Sequence, residues 1–263
     1  MRIKQYFRRS FAKLRTYASP ERSVEIHGHR ILFALHSPVD LHRLNTYETK
    51  EPETVSWIAS FDNTEPFTYF DVGANIGLFS LLPAVLFKDS IKIFSFEPMS
   101  QNYSSLSRNI YLNNLSHVIK GYCCAITSSQ GFNDLHIPFN RFSSSGNRAQ
   151  FVASPVEAEK LAEKPIIHTE GTYGTTIDSL VFQHNFPIPN YLKIDVDGLE
   201  QDVLKGAQET LCQEAVRSVL VEVRPNDKGQ QDWVCAQLKS AGLILRSRSK
   251  RSRGAPNFIF FRK

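Results

Sequence analysis

The chain has 263 residues, of which 41% are hydrophobic and 22% charged, and this composition excludes a disordered or fibrous protein. One globular domain or two small ones of this length bury a large core without disulfides or structural metal. The four cysteines form no Cys-x-x-Cys pair, so we expect a reducing compartment and a cytoplasmic protein. No apolar run reaches the roughly 18 to 20 residues that cross a bilayer, and the basic start lacks the apolar core of a secretory signal.

Charge is unevenly distributed along the chain. Residues 1–22 carry seven basic side chains and one acidic, residues 241–263 carry seven and none, and 17 basic and 25 acidic side chains lie between. The net charge of +5 therefore does not predict nucleic-acid binding. Apolar residues at helical spacing within 1–22 predict an amphipathic helix, which either packs on the domain or lies on an anionic membrane surface; a disordered tail is the third possibility. We interpret the basic cluster at 246–253 as a hairpin turn.

Residues 23–66 form a predicted N-terminal extension. Its first part, at 24–35, has the pattern of a small hairpin that turns at 27–29. A polar loop follows, and then a helix near 52–61. We expect a larger domain to begin at residue 67.

Apolar strand-like runs alternate with helical patterns over residues 67–263. We predict strands at 68–72, 91–96, 117–122, 190–194 and 218–223, and helices near 77–88, 99–113, 199–211 and 229–241. This alternation is typical of an α/β fold with helices on both faces of a parallel sheet. The last two predicted strands, at 243–249 and 257–262, indicate an antiparallel hairpin that closes the sheet.

Residues 139–175 do not fit this alternation. They contain a serine-rich run at 142–147, a helix candidate at 155–164 and the segment Gly171-Thr-Tyr-Gly174. Long segments without strands are often lids or binding loops. We therefore expect an insertion here that acts as a lid over the substrate.

A tight turn with small residues follows the first predicted strand of the domain. The segment runs Asp71-Val-Gly73-Ala-Asn75-Ile-Gly77 and leads from a buried strand into a helix. Small residues let the groups of a ligand approach the backbone closely, and Asn75 tolerates positive φ where such loops often carry glycine. Taken alone, the pattern is also that of a simple strand-to-helix corner.

The acid at the end of the second predicted strand indicates the kind of ligand. Glu97, followed by Pro98, stands 20 residues after Gly77, where a carboxylate can accept hydrogen bonds from both ribose hydroxyls of an adenosine-containing cofactor. The spacing fits a nicotinamide cofactor or S-adenosylmethionine. The absence of Gly-x-Gly-x-x-Gly disfavours a pyrophosphate, and the Asp71 carboxylate favours the ammonium group of a methionyl tail. Both observations favour S-adenosylmethionine.

Several acids follow the fourth predicted strand, at the edge where open α/β sheets bind ligands. The segment is Lys193-Ile-Asp195-Val-Asp197-Gly-Leu-Glu200. Asp195 is the candidate general base for a substrate hydroxyl, and Asp197 and Glu200 are candidates for positioning the acceptor or tuning that base. Glu200 also fits a purely structural role as a first-turn acid of a helix.

Three further observations complete the candidate site. Glu222 ends the fifth predicted strand and is a further catalytic candidate at the same edge, or else it pairs with Arg224. Ala125 follows the third strand, where the adenine ring of the cofactor would lie. The spacing of the histidines predicts no metal site, and the Asp-x-Asp-Gly at 195–198 lacks the other ligands of a calcium loop.

Taken together, these segments resemble the FkbM-type methyltransferases, within the class I S-adenosylmethionine-dependent group. The matching segments are 70–77, 96–98, 109–114, 176–180, 193–200 and Glu222. The resemblance covers about residues 51–263 and implies a Rossmann-like, mostly parallel seven-stranded sheet. It also implies methyl transfer from S-adenosylmethionine, commonly to a hydroxyl of a sugar, glycan, lipid or natural-product acceptor.

The same resemblance implies roles for individual residues. The residues that would hold the methionyl part of the cofactor are Asp71, Gly73, Asn75 and Gly77. Glu97 would hold the ribose. Asp197 stands where the family pattern has glutamate, which shortens that carboxylate by one methylene, and the basic segment 1–22 lies outside the pattern.

Two other functions remain open on the sequence. A nicotinamide-dependent oxidoreductase could use the same kind of sheet, although the glycine pattern disfavours it. A methyltransferase-like binding protein could instead recruit RNA or an anionic membrane through the basic ends of the chain.

Overall fold

A computed structural model describes residues 21–46, 49, 51–137, 148–150, 168–249 and 255–263. Almost all of the predicted basic helix in 1–22 lies outside the described residues, as do the serine-rich run at 142–147 and the helix candidate at 155–164. Within the described ranges, no helix is long and apolar enough to cross a membrane.

The described elements alternate between strands and helices along most of the chain. In chain order they are β1 (Glu21–Ile26), β2 (His29–Ala34), α1 (Pro38–Asn45), α2 (Pro52–Ala59), β3 (Phe67–Val72), α3 (Leu78–Phe87), β4 (Ile91–Phe96), α4 (Ser100–Leu112), β5 (Ile119–Tyr122), β6 (Ala125–Ile126), β7 (Gly131–Ile137), β8 (Arg148–Gln150), β9 (His168–Thr175), α5 (Ile177–Phe182), β10 (Tyr191–Ile194), α6 (Glu200–Lys205), α7 (Gln208–Leu211), β11 (Ser218–Glu222), α8 (Lys228–Ser240), β12 (Leu243–Arg248) and β13 (Asn257–Arg262).

A seven-stranded sheet with the order β12-β13-β11-β10-β3-β4-β5 forms the centre of the molecule. Five consecutive strands, β11, β10, β3, β4 and β5, run parallel, and β13 pairs antiparallel with β11 and β12. The predicted sheet and its C-terminal hairpin are confirmed. Val72 lies opposite Phe96 and Ile194 in the register, so the carboxyl ends of the central strands meet at one edge of the sheet.

The two faces of the sheet bury separate hydrophobic clusters. Tyr69 of β3 faces the first cluster, which contains Leu81 of α3 and Leu106 of α4. Its neighbour Phe70 faces the second, which contains Val203 of α6 and residues of α8. Since successive strand residues point to opposite faces, β3 is buried on both sides, as a central strand of a parallel sheet should be.

The predicted helix at 199–211 is wrong in one respect, because it is divided into α6 and α7 at Gly206 and Ala207. A Cβ at Gly206 would lie 2.1 Å from the carbonyl oxygen of Thr127. Only glycine allows the chain to pass Thr127 this closely. Pro83 lies within the ten-residue helix α3, which falls inside the predicted helix near 77–88.

The N-terminal extension packs into the first cluster and does not stand apart. The hairpin β1-β2 is confirmed, and its turn has positive φ at His27 and Gly28. Helix α1 was predicted as a polar loop; it begins with a capping box in which the Ser37 side chain accepts from the backbone of Asp40. In α2, the indole Nε1 of Trp57 donates to Ser218 of β11 at 2.8 Å.

A second sheet corrects the prediction that 139–175 lacks strands. Its order is β6-β9-β7-β8, and the segment 171–174 lies within β9, paired antiparallel with β7. Leu135 and Ile137 of β7 pack with Met99 and Ala125, which anchors the sheet beside the end of β4. Apart from Tyr173, the residues of β9 are polar or glycine, and its buried positions are Thr172, Gly174 and Thr175. Its sequence therefore lacked the apolar signal of a strand.

Candidate active site

A cleft of about 880 Å³, including its open mouth, lies at the carboxyl edge of the large sheet. The ends of four central strands line it, together with β6 and two residues of the N-terminal extension. The polar and small lining residues are Arg43, Glu51, Gly73, Asn75, Glu97, Pro98, Asn102, Ala125, Asp195, Asp197 and Glu222. The structure therefore brings together most of the predicted site residues, and it leaves Asp71, Gly77 and Glu200 out of the lining.

The loop after β3 turns sharply through three positive φ angles. They are 83° at Gly73, 51° at Asn75 and 88° at Gly77, which confirms that Asn75 takes a conformation usual for glycine. The N–H groups of Gly73 and Ala74 donate to the carbonyl of Phe96, each at 3.0 Å. A Cβ at Gly73 would lie only 1.8 Å from the carbonyl oxygen of Asp195, so this glycine lets the loop touch the end of β10.

Gly77 has a packing role, which corrects its assignment to cofactor binding. It caps α3, and a Cβ there would lie 2.6 Å from Leu106 and 2.7 Å from Leu81. It does not line the cleft. The third small residue of the turn therefore serves the contact between α3 and α4.

The predicted contact of Asp71 with the cofactor is also not found, because Asp71 lies behind the loop and is fully buried. The Ser80 hydroxyl donates to its Oδ2 at 2.6 Å, and its Oδ1 is 3.4 Å from Lys193 Nζ. The expected position beside the ammonium of a ligand is not found, since these two partners hold the carboxylate inside the sheet. Asp71 instead neutralises a buried lysine.

Glu97 lies in the wall of the cleft, as predicted, and its carboxylate is held by three donors. The backbone N–H of Asn75 donates to Oε2 at 2.8 Å, and the backbone N–H of Met99 and the amide of Asn102 donate to Oε1 at 3.0 and 3.4 Å. Burial raises the pKa of Glu97 to about 7, against the lowering effect of these hydrogen bonds. The group therefore changes charge near neutral pH.

A buried ion pair underlies the acids at the end of β10. Lys193 Nζ lies 3.1 Å from Asp195 Oδ2 and 3.4 Å from Asp71 Oδ1, and its side chain is 2% exposed. Although burial disfavours its charge, the carboxylates of Asp195 and Asp71 hold the pKa of Lys193 above its usual value. No role was predicted for Lys193; the available signal was a lysine inside a buried strand, two residues before Asp195.

Asp195 and Glu222 form a hydrogen-bonded pair of carboxyl groups. Burial acts to raise the pKa of Asp195, but the charge of Lys193 and hydrogen bonds from Lys193 and Glu222 hold it below its usual range. Burial and the nearby charges of Asp195 and Asp197 raise the pKa of Glu222 well above its usual value. Of the two carboxyl groups, Glu222 therefore holds a proton more readily, and Asp195 stays ionised more readily.

Glu200 does not line the cleft, so the structure does not place it to position the acceptor, and its role in tuning the base stays a prediction. Its Oε1 accepts from the backbone N–H of Gly198 at 2.8 Å and its Oε2 from the amide of Gln230 at 3.0 Å. Burial raises its pKa to about 7. Glu200 thus fixes the turn in which Asp197, with φ of 54°, faces the cleft.

The alternative pairing of Glu222 with Arg224 is not seen. The guanidinium of Arg224 instead donates to the carbonyl of Gly198 at 3.0 Å and lies 3.9 Å from Asp227. It therefore supports the same turn as Glu200, from the other side of the loop.

Sequence reasoning missed two lining residues from the N-terminal extension. Arg43 is in the last turn of α1, and Glu51 is the N-cap of α2. A smaller chamber adjoins the cleft, and both residues also line it, together with Gly73, Asn75 and Asp195. No local sequence signal marks them, because only tertiary packing brings the extension to the sheet edge. Among the residues that the structure describes, no group of three His, Cys, Asp or Glu could hold a metal ion.

The fold and the cleft define a Rossmann-like α/β protein of the methyltransferase class. Residues 71–250 match the family described as the methyltransferase FkbM domain. The chain belongs to this family.

Two relatives are similar to the chain in sequence. Methyltransferase sdnD of Sordaria araneosa is 32% identical over 174 residues, which are 58% of this chain and 64% of that protein. Hexuronic acid methyltransferase AglP of Haloferax volcanii is 27% identical over 203 residues, which are 76% of this chain and 72% of that protein. The match therefore spans less than two thirds of the length of sdnD.

Two solved structures share the fold. A methyltransferase FkbM from Methylobacillus flagellatus superposes with a TM-score of 0.53 at 16% identity, over 86% of this chain and 56% of that chain. Aeropyrum pernix fibrillarin, in complex with natively bound S-adenosyl-L-methionine, superposes with a TM-score of 0.50 at 10% identity, over 91% and 82% of the two chains.

Proposed function

We propose that this chain is an S-adenosylmethionine-dependent methyltransferase that acts on a hydroxyl of a sugar-like acceptor. The observation that carries the proposal is the carboxylate of Glu97, which three donors hold in the wall of the cleft beside the loop of Gly73. A carboxylate has about four acceptor sites, so three donors leave room for a ribose hydroxyl. Pro98 and Ala125 lie at the same end of the cleft and would contact the adenine side.

The charge of the cleft also fits this cofactor. Carboxyl groups of Asp195, Asp197 and Glu222 also line the cleft, and such a surface favours a cationic ligand. When bound, S-adenosylmethionine supplies a methyl group made electrophilic by a positively charged sulfur. The protein must then exclude water, orient the acceptor and take up one proton.

We assign the uptake of that proton to the pair of Asp195 and Glu222. With Lys193 beside it, Asp195 alone is a weak base, because its ionised form is already stabilised. Loss of the proton from Glu222 leaves two adjacent carboxylates, and this form can accept the proton of an acceptor hydroxyl. Asp197 faces the same space and is assigned to positioning the acceptor.

The relative AglP supports the class of acceptor, since its name describes it as a hexuronic acid methyltransferase. Carboxylates bind hydroxyl groups well through charge-assisted hydrogen bonds, and several carboxyl groups line the cleft. A glycan, lipid or natural product that carries such a hydroxyl belongs to the same proposal.

Calorimetric titration of the purified chain tests the cofactor. We expect S-adenosylmethionine and S-adenosylhomocysteine to bind and NADH not to bind. Replacing Glu97→Gln should weaken S-adenosylhomocysteine roughly 10- to 100-fold, because one charge-assisted hydrogen bond is worth about 1.5–3 kcal/mol. Glu25→Gln, at an exposed position of β1, is the matched control and should leave the affinity unchanged.

Three results would contradict the proposal. Binding of NADH alone would indicate an oxidoreductase. Failure of every adenosine ligand, with salt-sensitive binding of RNA or anionic vesicles that is lost on deletion of residues 1–22, would indicate a recruiting protein. Equal affinity in Glu97→Gln and the natural chain would remove Glu97 from the ribose site.

A further inference from the structure

The N-terminal extension places one arginine and one glutamate in the wall of the cleft. Arg43 and Glu51 both line the main cleft and the adjoining smaller chamber. Both lie outside residues 71–250, the part of the chain that matches the family. The N-terminal extension therefore contributes to the site from outside the matched domain.

The extension holds this pair on a packed scaffold. In α1, the Asp40 carboxylate is fully buried and accepts from the N–H groups of His36 and Ser37 at 2.6 and 2.7 Å. Leu44, next to Arg43, packs into the first hydrophobic cluster. The hydroxyl of Thr54 donates to the Glu51 carboxylate at 3.3 Å. The packing of α1 thus positions the backbone of Arg43, and the contact with Thr54 helps to position the Glu51 carboxylate.

The balance of charge in the two chambers singles out Arg43. The acidic lining residues are Glu51, Glu97, Asp195, Asp197 and Glu222. Among the lining residues in the described part of the chain, the cations are Arg43 and Lys193. Lys193 is 1% exposed and lies between two carboxylates, so a ligand cannot reach it. Arg43 is partly exposed, and an anionic group that enters this acidic space meets an accessible positive charge there.

The positions of the lining residues give the site two ends. Glu97, Pro98 and Ala125 line only the main cleft, which is the nucleoside end of the proposed site. The smaller chamber contains Arg43 and the loop residues Gly73 and Asn75. A ligand with a nucleoside and a short zwitterionic tail would therefore span the loop, with its tail at the extension.

We propose that Arg43 binds the carboxylate of the amino-acid tail of the cofactor, while the carboxylate of Glu51 faces the tail's ammonium group. This inference rests on the proposed use of S-adenosylmethionine. A guanidinium matches a carboxylate through paired N–H donors. The neighbouring Asp195 would otherwise repel the tail's carboxylate, and Arg43 already offsets the charge of Asp195.

The test compares two ligands that differ in the tail. S-adenosylhomocysteine carries the amino-acid tail, and 5′-methylthioadenosine has the same nucleoside and sulfur without it. In calorimetry with the full chain, Arg43→Met should weaken S-adenosylhomocysteine roughly 10- to 100-fold, the loss expected for a charge-assisted hydrogen bond. The affinity for 5′-methylthioadenosine should change less than about twofold. Arg43→Lys should recover part of the loss.

Two controls separate binding from folding. Arg30→Met removes a hairpin guanidinium whose hydrogen bond to Ser23 is exposed, and it should change neither affinity. Urea unfolding of Arg43→Met and Arg43→Lys shows whether the extension remains docked. If Arg43→Met unfolds, the affinities of Arg43→Lys for S-adenosylhomocysteine and 5′-methylthioadenosine are compared instead.

Each alternative outcome overturns the assignment in a recognisable way. Unchanged affinity for S-adenosylhomocysteine, or equal weakening of both ligands, removes Arg43 from the tail. Unchanged cofactor affinity with a raised KM for the acceptor would place the anionic group on the acceptor. If the natural chain binds neither ligand, the proposed function itself fails.

Discussion

Substitution of Gly73 by alanine should damage both the fold and the cleft, and two other glycines allow the cause to be separated. Gly73 has φ of +83°, and a Cβ there would lie 1.8 Å from the backbone oxygen of Asp195. Gly28 has φ of +76° with nothing within 4 Å. Gly206 has φ of −84°, but a Cβ would lie 2.1 Å from the backbone oxygen of Thr127.

These three positions give an additive expectation for the free energy of unfolding. A left-handed backbone costs about 1–2 kcal/mol for alanine, and reduced freedom of the unfolded chain returns about 0.4–1 kcal/mol, so Gly28→Ala should cost about 1 kcal/mol. Forcing one carbon into a packed site costs about 1–3 kcal/mol, which we expect for Gly206→Ala. Gly73→Ala combines both effects and should cost about 2–4 kcal/mol.

Urea unfolding measured by tryptophan fluorescence gives the three values, and titration with S-adenosylhomocysteine gives the effect on the cleft. Gly28→Ala and Gly206→Ala should keep the affinity of the natural chain, because neither residue lines the cleft. Gly73→Ala should lose affinity for S-adenosylhomocysteine even under conditions in which the variant is folded. If Gly73→Ala costs no more than Gly28→Ala, the close approach of the loop to Asp195 is refuted.

Three further predictions concern the charged groups. The pKa of Glu97 is raised to about 7, and a ribose hydroxyl binds its ionised form. The affinity for S-adenosylhomocysteine should therefore rise up to about tenfold from pH 6 to pH 8. An affinity that does not change with pH would contradict this, and Glu97→Gln should remove the pH dependence. Without ligand, the free energy of unfolding in urea should instead fall as pH rises, because the raised pKa of Glu97 contributes stability below about pH 4.5 that is lost as pH rises through 7. Lys193→Met should cost about 3–5 kcal/mol, because it leaves buried carboxylates unpaired, and adding Asp71→Asn should recover part of this; an additive double variant would refute the pairing. Because Glu222 must lose its proton before it can accept one, kcat should rise with pH. Glu222→Gln should abolish this rise while S-adenosylhomocysteine still binds. An unchanged dependence of kcat on pH in that variant would remove Glu222 from proton transfer.

The sequence predicted the central sheet well because its signals are local. Strands β3 and β4 are mostly apolar runs, and the edge where they end is marked by small residues after β3 and by Glu97 after β4. The second sheet was missed because β9 is mostly polar and glycine-rich, and its partners are set by tertiary contact. Helix α1 carried a readable signal, since Ser37 and Asp40 form a capping box around Pro38.

The roles of the acids were harder to predict than their presence. A strand buried on both faces shows no alternation, so the sequence could not tell that Asp71 points into the sheet while Glu97 reaches the cleft. Glu200 was ambiguous between a catalytic and a structural role, and its partner Gln230 lies on a distant helix. Arg43 carries no motif at all, because its place in the cleft depends on how the extension docks.

The hydrogen bond between Trp57 and Ser218 joins residues 161 positions apart, and Ser218 in turn donates to the carbonyl of Phe260 at 2.6 Å. During synthesis the extension therefore leaves the ribosome long before its docking surface exists. Contacts of such large sequence separation slow folding and leave apolar surface exposed in the meantime. A recombinant fragment cut to residues 71–250 would lack both ends of this connection, so it should aggregate where the full chain remains soluble.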